Sequence, residues 1–346
     1  MTRALRLGTR RSALATTQSG WVADALRARG TAVELVEITT RGDTDRAPLA
    51  VIGGTGVFVS ALREALLEGR VDLAVHSLKD LPTAAAEGLA LAAVPAREDP
   101  RDVLVAAGGR TLAQLPAGAR VGTGSPRRRA LLLDARADLR VVAVRGNVDT
   151  RLAMVTSGEL DAVVLAAAGL SRLGRLHEAT ELLDAAAFVP APGQGALAVE
   201  CRADDAEVLA ALAPLDSPAD RLAVLAERHL LAGLEAGCSA PVGAHAVARG
   251  AGLHLTAAVQ GPHGLVRREV TAPAADARAA RGLGERTAAQ LLAGPLAGAA
   301  RTPDPAAGPA RAAAAPARPV AVGGGAQEHT PDRAPAGPRP DPESGS

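Results

Sequence analysis

The sequence predicts an α/β protein: two lobes of alternating strand and helix around a cleft, then a small α+β domain and a tail. Three observations predict this. As far as residue 201, short apolar runs alternate with segments whose apolar residues recur at helical spacing, the pattern of parallel strands wrapped by helices. The charged stretch Arg97-Glu-Asp-Pro-Arg101 interrupts the alternation, which then resumes, so a linker joins two units. From Ala293 the composition turns to Pro, Ala and Gly, as in PDPAAGPARAAAAPARPVAVGGG. Such sequence buries too little apolar surface to offset its ordering entropy. The expected domains are residues 1–97 with 196–214, then 98–195, then 217–292, followed by a disordered tail over 293–346 that is dispensable for folding.

The elements follow in order. Residues 5–7 read as a strand, 8–12 as a turn, and 13–29 as a helix with the stripe Leu14, Val22, Ala25 and Leu26. Residues 31–39 alternate as a second strand through Val33, Leu35, Val36 and Ile38, completing a β-α-β unit. The polar stretch 40–55 ends in IGGTGVF, a loop or lid that lacks the G-x-G-x-x-G spacing of a dinucleotide site. Residues 57–68 are helical, capped by Gly69, and lead into the stretch that organises the chain, VDLAVHSLKDLP over 71–82. There an apolar run ends in a lysine, an aspartate and a Leu-Pro stop, as a buried strand does when it delivers polar groups to a sheet edge. Strand alternation places Leu73, Val75, Ser77 and Lys79 on one face and Ala74, His76, Leu78 and Asp80 on the other.

Residues 88–95 form another strand, and after the linker come a strand over 102–106, a short helix over 111–115 and a strand leading into GTGSPRRR at 122–129. A helix then runs to about residue 137, a strand spans 139–144, RGNVDTR opens a further helix, and 161–167 is a buried strand. The strand 196–201 is placed back in the first sheet. Residues 217–234 make a long helix with a Ser-Pro start. Strands over 243–248, 253–259 and 266–271 and a helix over 275–292 make the third domain.

Composition excludes several functions. Lys+Arg number 38 and Asp+Glu 37, a net charge of +1, so no global field recruits nucleic acid or membrane and any anion site is local. Trp21, Phe58 and Phe188 are the aromatic residues, too few for base-stacking platforms. The two cysteines, Cys201 and Cys238, do not make a disulfide framework and suit a reducing cytosol. The seven histidines lack a second ligand at helical spacing, so no metal site is expected. With no signal peptide and no membrane-length apolar run in view, a cytoplasmic protein is expected.

The chemistry lies in the arginines. Cations in the first turn of a helix oppose its dipole, yet Ser125-Pro-Arg-Arg-Arg129 places Arg127 and Arg128 there, behind a serine cap and a proline. GTRRS at 8–12, RGNVDTR at 145–151 and Arg172 also follow predicted strands. Each alone reads equally well as a surface residue with an acidic neighbour. Together they lie where open α/β sheets bind ligands, and they imply a cleft for a molecule with many carboxylates or phosphates. Asp80 is then a lone carboxylate in basic surroundings, which stays ionised and suits the stabilisation of a developing cation. Cys201, within ALAVECR, reads as a buried, inert thiol. Cys238 sits in a Gly- and Pro-flanked loop and reads as a nucleophile or attachment point.

GTRRSALA, VDLAVHSLKDLP, REDPRDVL, VGTGSPRR, RGNVDTR, LAAAGLSRLG, PAPGQGALAVECR and LEAGCSAPVG, in this order over about residues 3–290, resemble the porphobilinogen deaminase (hydroxymethylbilane synthase) family. The resemblance implies two lobes like those of periplasmic binding proteins plus a third domain, and a cytoplasmic, monomeric transferase. It implies condensation of four porphobilinogen molecules head to tail, with loss of ammonia at each step, on an enzyme-bound dipyrromethane, and hydrolytic release of linear hydroxymethylbilane to a uroporphyrinogen III synthase. By motif match Asp80 is the catalytic aspartate and Cys238 the thioether attachment point of the dipyrromethane. Lys79, Asp80, Thr123, Ser125, Arg127, Arg128 and Arg151 then bind the cofactor, and Arg10, Ser12, Phe58, Arg145, Arg172 and Gln194 the substrate. Many relatives have lysine where this chain has Thr55, so a cation in the lid is not carried over. The competing reading is a two-lobed anion-binding protein without catalysis, which leaves Cys238 unexplained.

Overall fold

The computed structural model describes residues 3–39, 56–236, 240–294 and 296, with side chains from residue 59 onward in the second segment. In chain order the elements are β1 (Leu5–Thr9), α1 (Ala13–Arg27), β2 (Val33–Glu37), α2 (Gly56–Leu67), β3 (Leu73–Ser77) and β4 (Leu89–Ala93). There follow β5 (Asp102–Ala106), β6 (Arg120–Gly122), α3 (Pro126–Ala135), β7 (Arg140–Val142), α4 (Val148–Thr156), β8 (Ala162–Ala166), α5 (Ala167–Arg172) and β9 (Glu181–Leu182). Last come β10 (Leu197–Arg202), α6 (Ala206–Leu212), α7 (Pro218–Gly233), β11 (Val242–Arg249), β12 (Gly252–Gly261), β13 (Gly264–Pro273) and α8 (Ala277–Ala293).

These strands form three sheets, ordered β2-β1-β3-β10-β4, β7-β6-β8-β5-β9 and β11-β12-β13. The α/β class with two lobes and a smaller α+β unit is therefore realised, but the two larger sheets are mixed where parallel sheets were expected. β10 runs antiparallel between β3 and β4, and β5 runs antiparallel to β8 and β9. The reason is the double crossing between lobes: each of these strands enters its sheet from a linker, not from a β-α-β crossover, which would impose parallel pairing.

Both large sheets are covered on two faces. In β5, Leu104 and Ala106 pack with α3 through Leu131 and Leu132, while Val103 and Val105 pack with Leu152 and Val155 of α4, the period-two division of a buried strand. In the first sheet Leu7, Leu73 and Val199 pack under Val22 and Leu26 of α1. On the opposite face, Arg63 of α2 grips Glu200 of β10 with two hydrogen bonds of 3.0 and 2.8 Å. The third sheet is covered by α7 and α8 through Leu230, Leu255, Leu283 and Leu291.

The two linkers lie side by side, the Glu98 amide donating to the Gly195 carbonyl at 3.3 Å. Gly195 has φ +87°, and a Cβ there would stand 2.3 Å from the Glu98 carbonyl oxygen, so this crossing requires glycine. The described residues extend just past residue 293, where the tail was expected to begin. Ala293 ends α8, and Leu296 donates its amide to Leu291 and buries its side chain in the third core, because one more apolar side chain finds cover there. Residues 297–346 lie outside the described residues.

Candidate active site

The site starts where β3 ends. Strand alternation does not continue to residue 80, because Leu78–Asp80 turn into one 3-10 turn. The Leu78 amide donates to Ala196 at 3.0 Å and the Leu81 amide to Leu78 at 3.1 Å. The turn buries Leu78 fully, leaves Lys79 half-buried and exposes Asp80, so Lys79 reaches the cleft by rotation about a turn and Asp80 stands exposed next to it in the chain. Upstream, the Gln18 amide of α1 donates to Ser77 Oγ at 3.1 Å and steadies the strand end.

Asp102, at the start of β5, organises the basic side. It is fully buried. Its Oδ2 lies 2.8 Å from Arg127 Nη1, and its Oδ1 accepts from Arg128 Nε and Nη2 at 3.0 and 2.8 Å and from Gln194 Nε2 at 2.8 Å. Burial pushes the Asp102 carboxyl up, but the two guanidiniums outweigh it and hold the group far below the usual carboxylate range. The arginines also donate to carbonyls, Arg127 to Val189 at 2.7 Å and Arg128 to Val164 at 3.0 Å. α3 puts them there: Ser125 Oγ accepts from the Arg128 amide and Pro126 opens the helix, as the cap and proline require. Thr123 is buried, and its Oγ1 accepts from the Ser125 amide at 3.2 Å, shaping that loop.

Lys79 faces this cluster, its Nζ donating to Gln194 Oε1 at 3.4 Å. Burial and then the Arg128 charge push the ammonium down to about 8, partly opposed by Asp80 and Asp102. Arg151, at the start of α4, is lowered by burial and by Arg128. Arg127 Nε and Arg151 Nε are buried without a hydrogen-bond partner among the described residues. Lys79, Ser125, Arg127, Ala191, Pro192, Leu231, Ala240 and Val242 line one cleft, where both lobes and the third unit meet.

The other predicted residues are spread around it. Ser12 caps α1, its Oγ accepting from the Ala15 amide. Arg10 is half-buried just past β1, and Arg145 is exposed just past β7. Arg172 donates to the Gly195 carbonyl at 2.6 Å, and burial, offset by Glu98, lowers its guanidinium pKa. Gln194 has its amide engaged inside the protein, donating to Asp102 and to the Pro100 carbonyl and accepting from Lys79. Cys238, Thr55 and the side chain of Phe58 lie outside the described residues. Cys201 is buried in β10, and burial pushes its thiol up to about 11, which makes it inert. Sequence reasoning missed Asp102 and the buried pair Arg97–Glu227, in which Glu227 accepts at 2.7 and 3.0 Å. REDPRDVL carried the signal for Arg97 and Asp102, a charged run closing on a strand.

Among the described residues no cluster could hold a metal ion, and no helix is long and apolar enough to cross a membrane. Residues 5–210 match the family model described as porphobilinogen deaminase, dipyromethane cofactor binding domain, and residues 221–293 match the porphobilinogen deaminase C-terminal domain. Porphobilinogen deaminase 1 of Streptomyces coelicolor is 60% identical over 309 residues, covering 86% of this chain and 97% of that protein. The porphobilinogen deaminase of Thermobifida fusca is 63% identical over 243 residues, covering 70% of this chain and 76% of that protein. Among solved structures, the methionine-binding protein MetQ aligns with a TM-score of 0.41 at 14% identity, covering 61% of this chain and 89% of that one, a likeness too weak to argue from.

Proposed function

The chain belongs to the porphobilinogen deaminase family, and from that membership we propose that Asp80 carries its chemistry beside the cleft lined by Lys79, Ser125 and Arg127. The activity is that of a transferase acting on porphobilinogen. In the reading advanced here, four porphobilinogen molecules are joined head to tail with loss of ammonia, and linear hydroxymethylbilane is released by hydrolysis.

The residues present fit a dipyrromethane bearing acetate and propionate groups. Arg127 Nε and Arg151 Nε are buried without a hydrogen-bond partner among the described residues, and a buried N–H without an acceptor favours an incoming carboxylate. Lys79, Ser125, Arg127, Arg128 and Arg151 would hold those carboxylates, with Thr123 shaping the loop. When bound, the dipyrromethane would supply the free pyrrole carbon to which the first unit is joined. Cys238 is the attachment point in this reading. The observation that carries it is that Ala240, two residues along the chain, lines the same cleft as Lys79 and Arg127.

Asp80 stabilises the positive charge that develops at the substrate's pyrrole nitrogen as ammonia leaves, a fixed carboxylate facing a forming cation. Arg10, Ser12, Arg145 and Arg172 hold the incoming substrate's carboxylates, and Phe58 stacks on a ring. Gln194 braces Lys79 and Asp102 from beneath. The protein works as a cytoplasmic monomer and passes its product to a uroporphyrinogen III synthase, a reading supported by the family.

Two measurements test this. The intact mass of the purified chain should exceed its sequence mass by two linked pyrroles, and Cys238→Ser should lack the increment; an equal increment on both moves the attachment elsewhere. Asp80→Ala should keep the increment and lose turnover, and near-normal rates would remove Asp80 from the mechanism.

A further inference from the structure

Helix α7 has two working faces. Ala226, Leu230 and Leu231 enter the core of the third unit. Arg221, Val224 and Arg228, at spacings of three and four, share a stripe and meet the first lobe. Val224 packs with Leu78 and Leu81. Arg221 donates to the carbonyls of Leu91 and Ala92 at 3.3 and 3.0 Å. Arg228 donates through Nη1 to Leu78 at 3.3 Å and Leu81 at 2.8 Å, and through Nη2 to Pro82 at 2.6 Å.

Those three carbonyls bracket Lys79 and Asp80. A single 3-10 turn at a strand end has few bonds of its own, and Asp80 is exposed, so its placement depends on what holds the backbone. The planar fork of a guanidinium reaches several carbonyls at once, as an ammonium on a flexible stem does not.

We propose that Arg228 is a positioning residue that fixes the turn carrying Asp80 by gripping the Leu78, Leu81 and Pro82 carbonyls, an inference that rests on Asp80 being the catalytic group. Arg228 acts through the backbone and contributes no group to the reaction. Because α7 ends five residues before Cys238 in the chain, one helix links the segment assigned to cofactor attachment with the turn assigned to catalysis.

The test compares Arg228→Met, Arg228→Lys and Arg221→Met in the full chain carrying its cofactor. Arg221 is the control, since it grips the same lobe from the same helix away from Asp80. Melting, intact mass, kcat and KM for porphobilinogen are measured. Both methionine variants should keep the cofactor and melt earlier by similar amounts. Arg228→Met alone should lose about tenfold or more in kcat with KM changed less than about threefold, as expected for a misplaced reacting group, and Arg228→Lys should recover part of the loss. A kcat for Arg228→Met within about twofold of that for Arg221→Met would reduce Arg228 to a docking residue. Should the methionine variant not fold, Arg228→Lys against Arg221→Lys decides by the same criterion. Asp80→Ala runs alongside: if it is active the catalytic assignment fails, whereas an inactive Asp80→Ala beside a fully active Arg228→Met removes only the positioning role.

Discussion

Lys79 is held where burial and Arg128 oppose its charge, so its ammonium is pushed down to about 8. The unfolded chain, with an ordinary lysine, binds more protons between about 8 and 10.4, so this group adds stability as pH rises through that window and costs stability below it. A carboxylate ligand would reverse the balance. Uptake of primer by cofactor-free protein should therefore slow as pH rises through about 8, and Lys79→Arg, which stays charged, should not show that decline; identical profiles would remove Lys79 from primer binding. Asp102 works in the opposite sense. Its carboxyl lies below the usual range, so its contribution is present above about pH 4 and is lost on acidification below it. Asp102→Asn leaves Arg127 and Arg128 buried without their counter-ion and should cost about 3–5 kcal/mol in urea unfolding. A cost under about 1 kcal/mol would mean the two guanidiniums are supported by carbonyls alone.

At the scale of elements, what the sequence made legible is what local chemistry determines. Ser125 and Pro126 announce the start of α3, and so place Arg127 and Arg128 in its first turn; Asn147 announces α4 in the same way, its side chain accepting from the Thr150 amide. What was not legible depends on distant partners. The turn at Leu78–Asp80 forms where Ala196 and Arg228 meet it, neither of which is near in sequence, so alternation carried too far. β9 and α6 are short elements whose pairing and packing decide them. The linker crossing is also tertiary, and it yields a prediction. Gly195→Ala combines a left-handed backbone with a Cβ 2.3 Å from the Glu98 oxygen, whereas Gly158→Ala, at φ +75°, meets open space. Urea unfolding should show about 1–2 kcal/mol lost at Gly158 from backbone strain alone and a larger loss at Gly195. Equal losses would mean the linkers separate without cost.

At the scale of the molecule, apolar packing and polar contacts together hold the third unit against the rest: Ala258 enters the core of the second lobe, Val224 packs on Leu78 and Leu81, and the Ala244 amide donates to the Pro190 carbonyl at 2.8 Å. Arg221 and Arg228 reach the first lobe, Arg267 of β13 pairs with Asp134 of α3 at 3.1 Å, and Glu227 closes the junction between them. Glu227 is fully buried. It accepts from both Arg97 nitrogens at 2.7 and 3.0 Å, from the Gly193 amide at 2.7 Å and from the Ala246 amide at 2.8 Å. One carboxylate thus satisfies donors from both linkers and from β11, while Arg97 Nε donates onward to the Gln194 carbonyl. The Arg267 pair is half-exposed and contributes little, whereas removing Glu227 strands a buried guanidinium and two amides together. Glu227→Ala should therefore do more than lower the melting temperature. In calorimetry the third unit, which has an apolar core of its own, should separate as an earlier transition from the two lobes, while Arg267→Ala should leave the wild-type profile in place. A single transition in Glu227→Ala, shifted no further than in Arg267→Ala, would mean that apolar packing alone couples the three units and that the buried carboxylate is incidental to their cohesion.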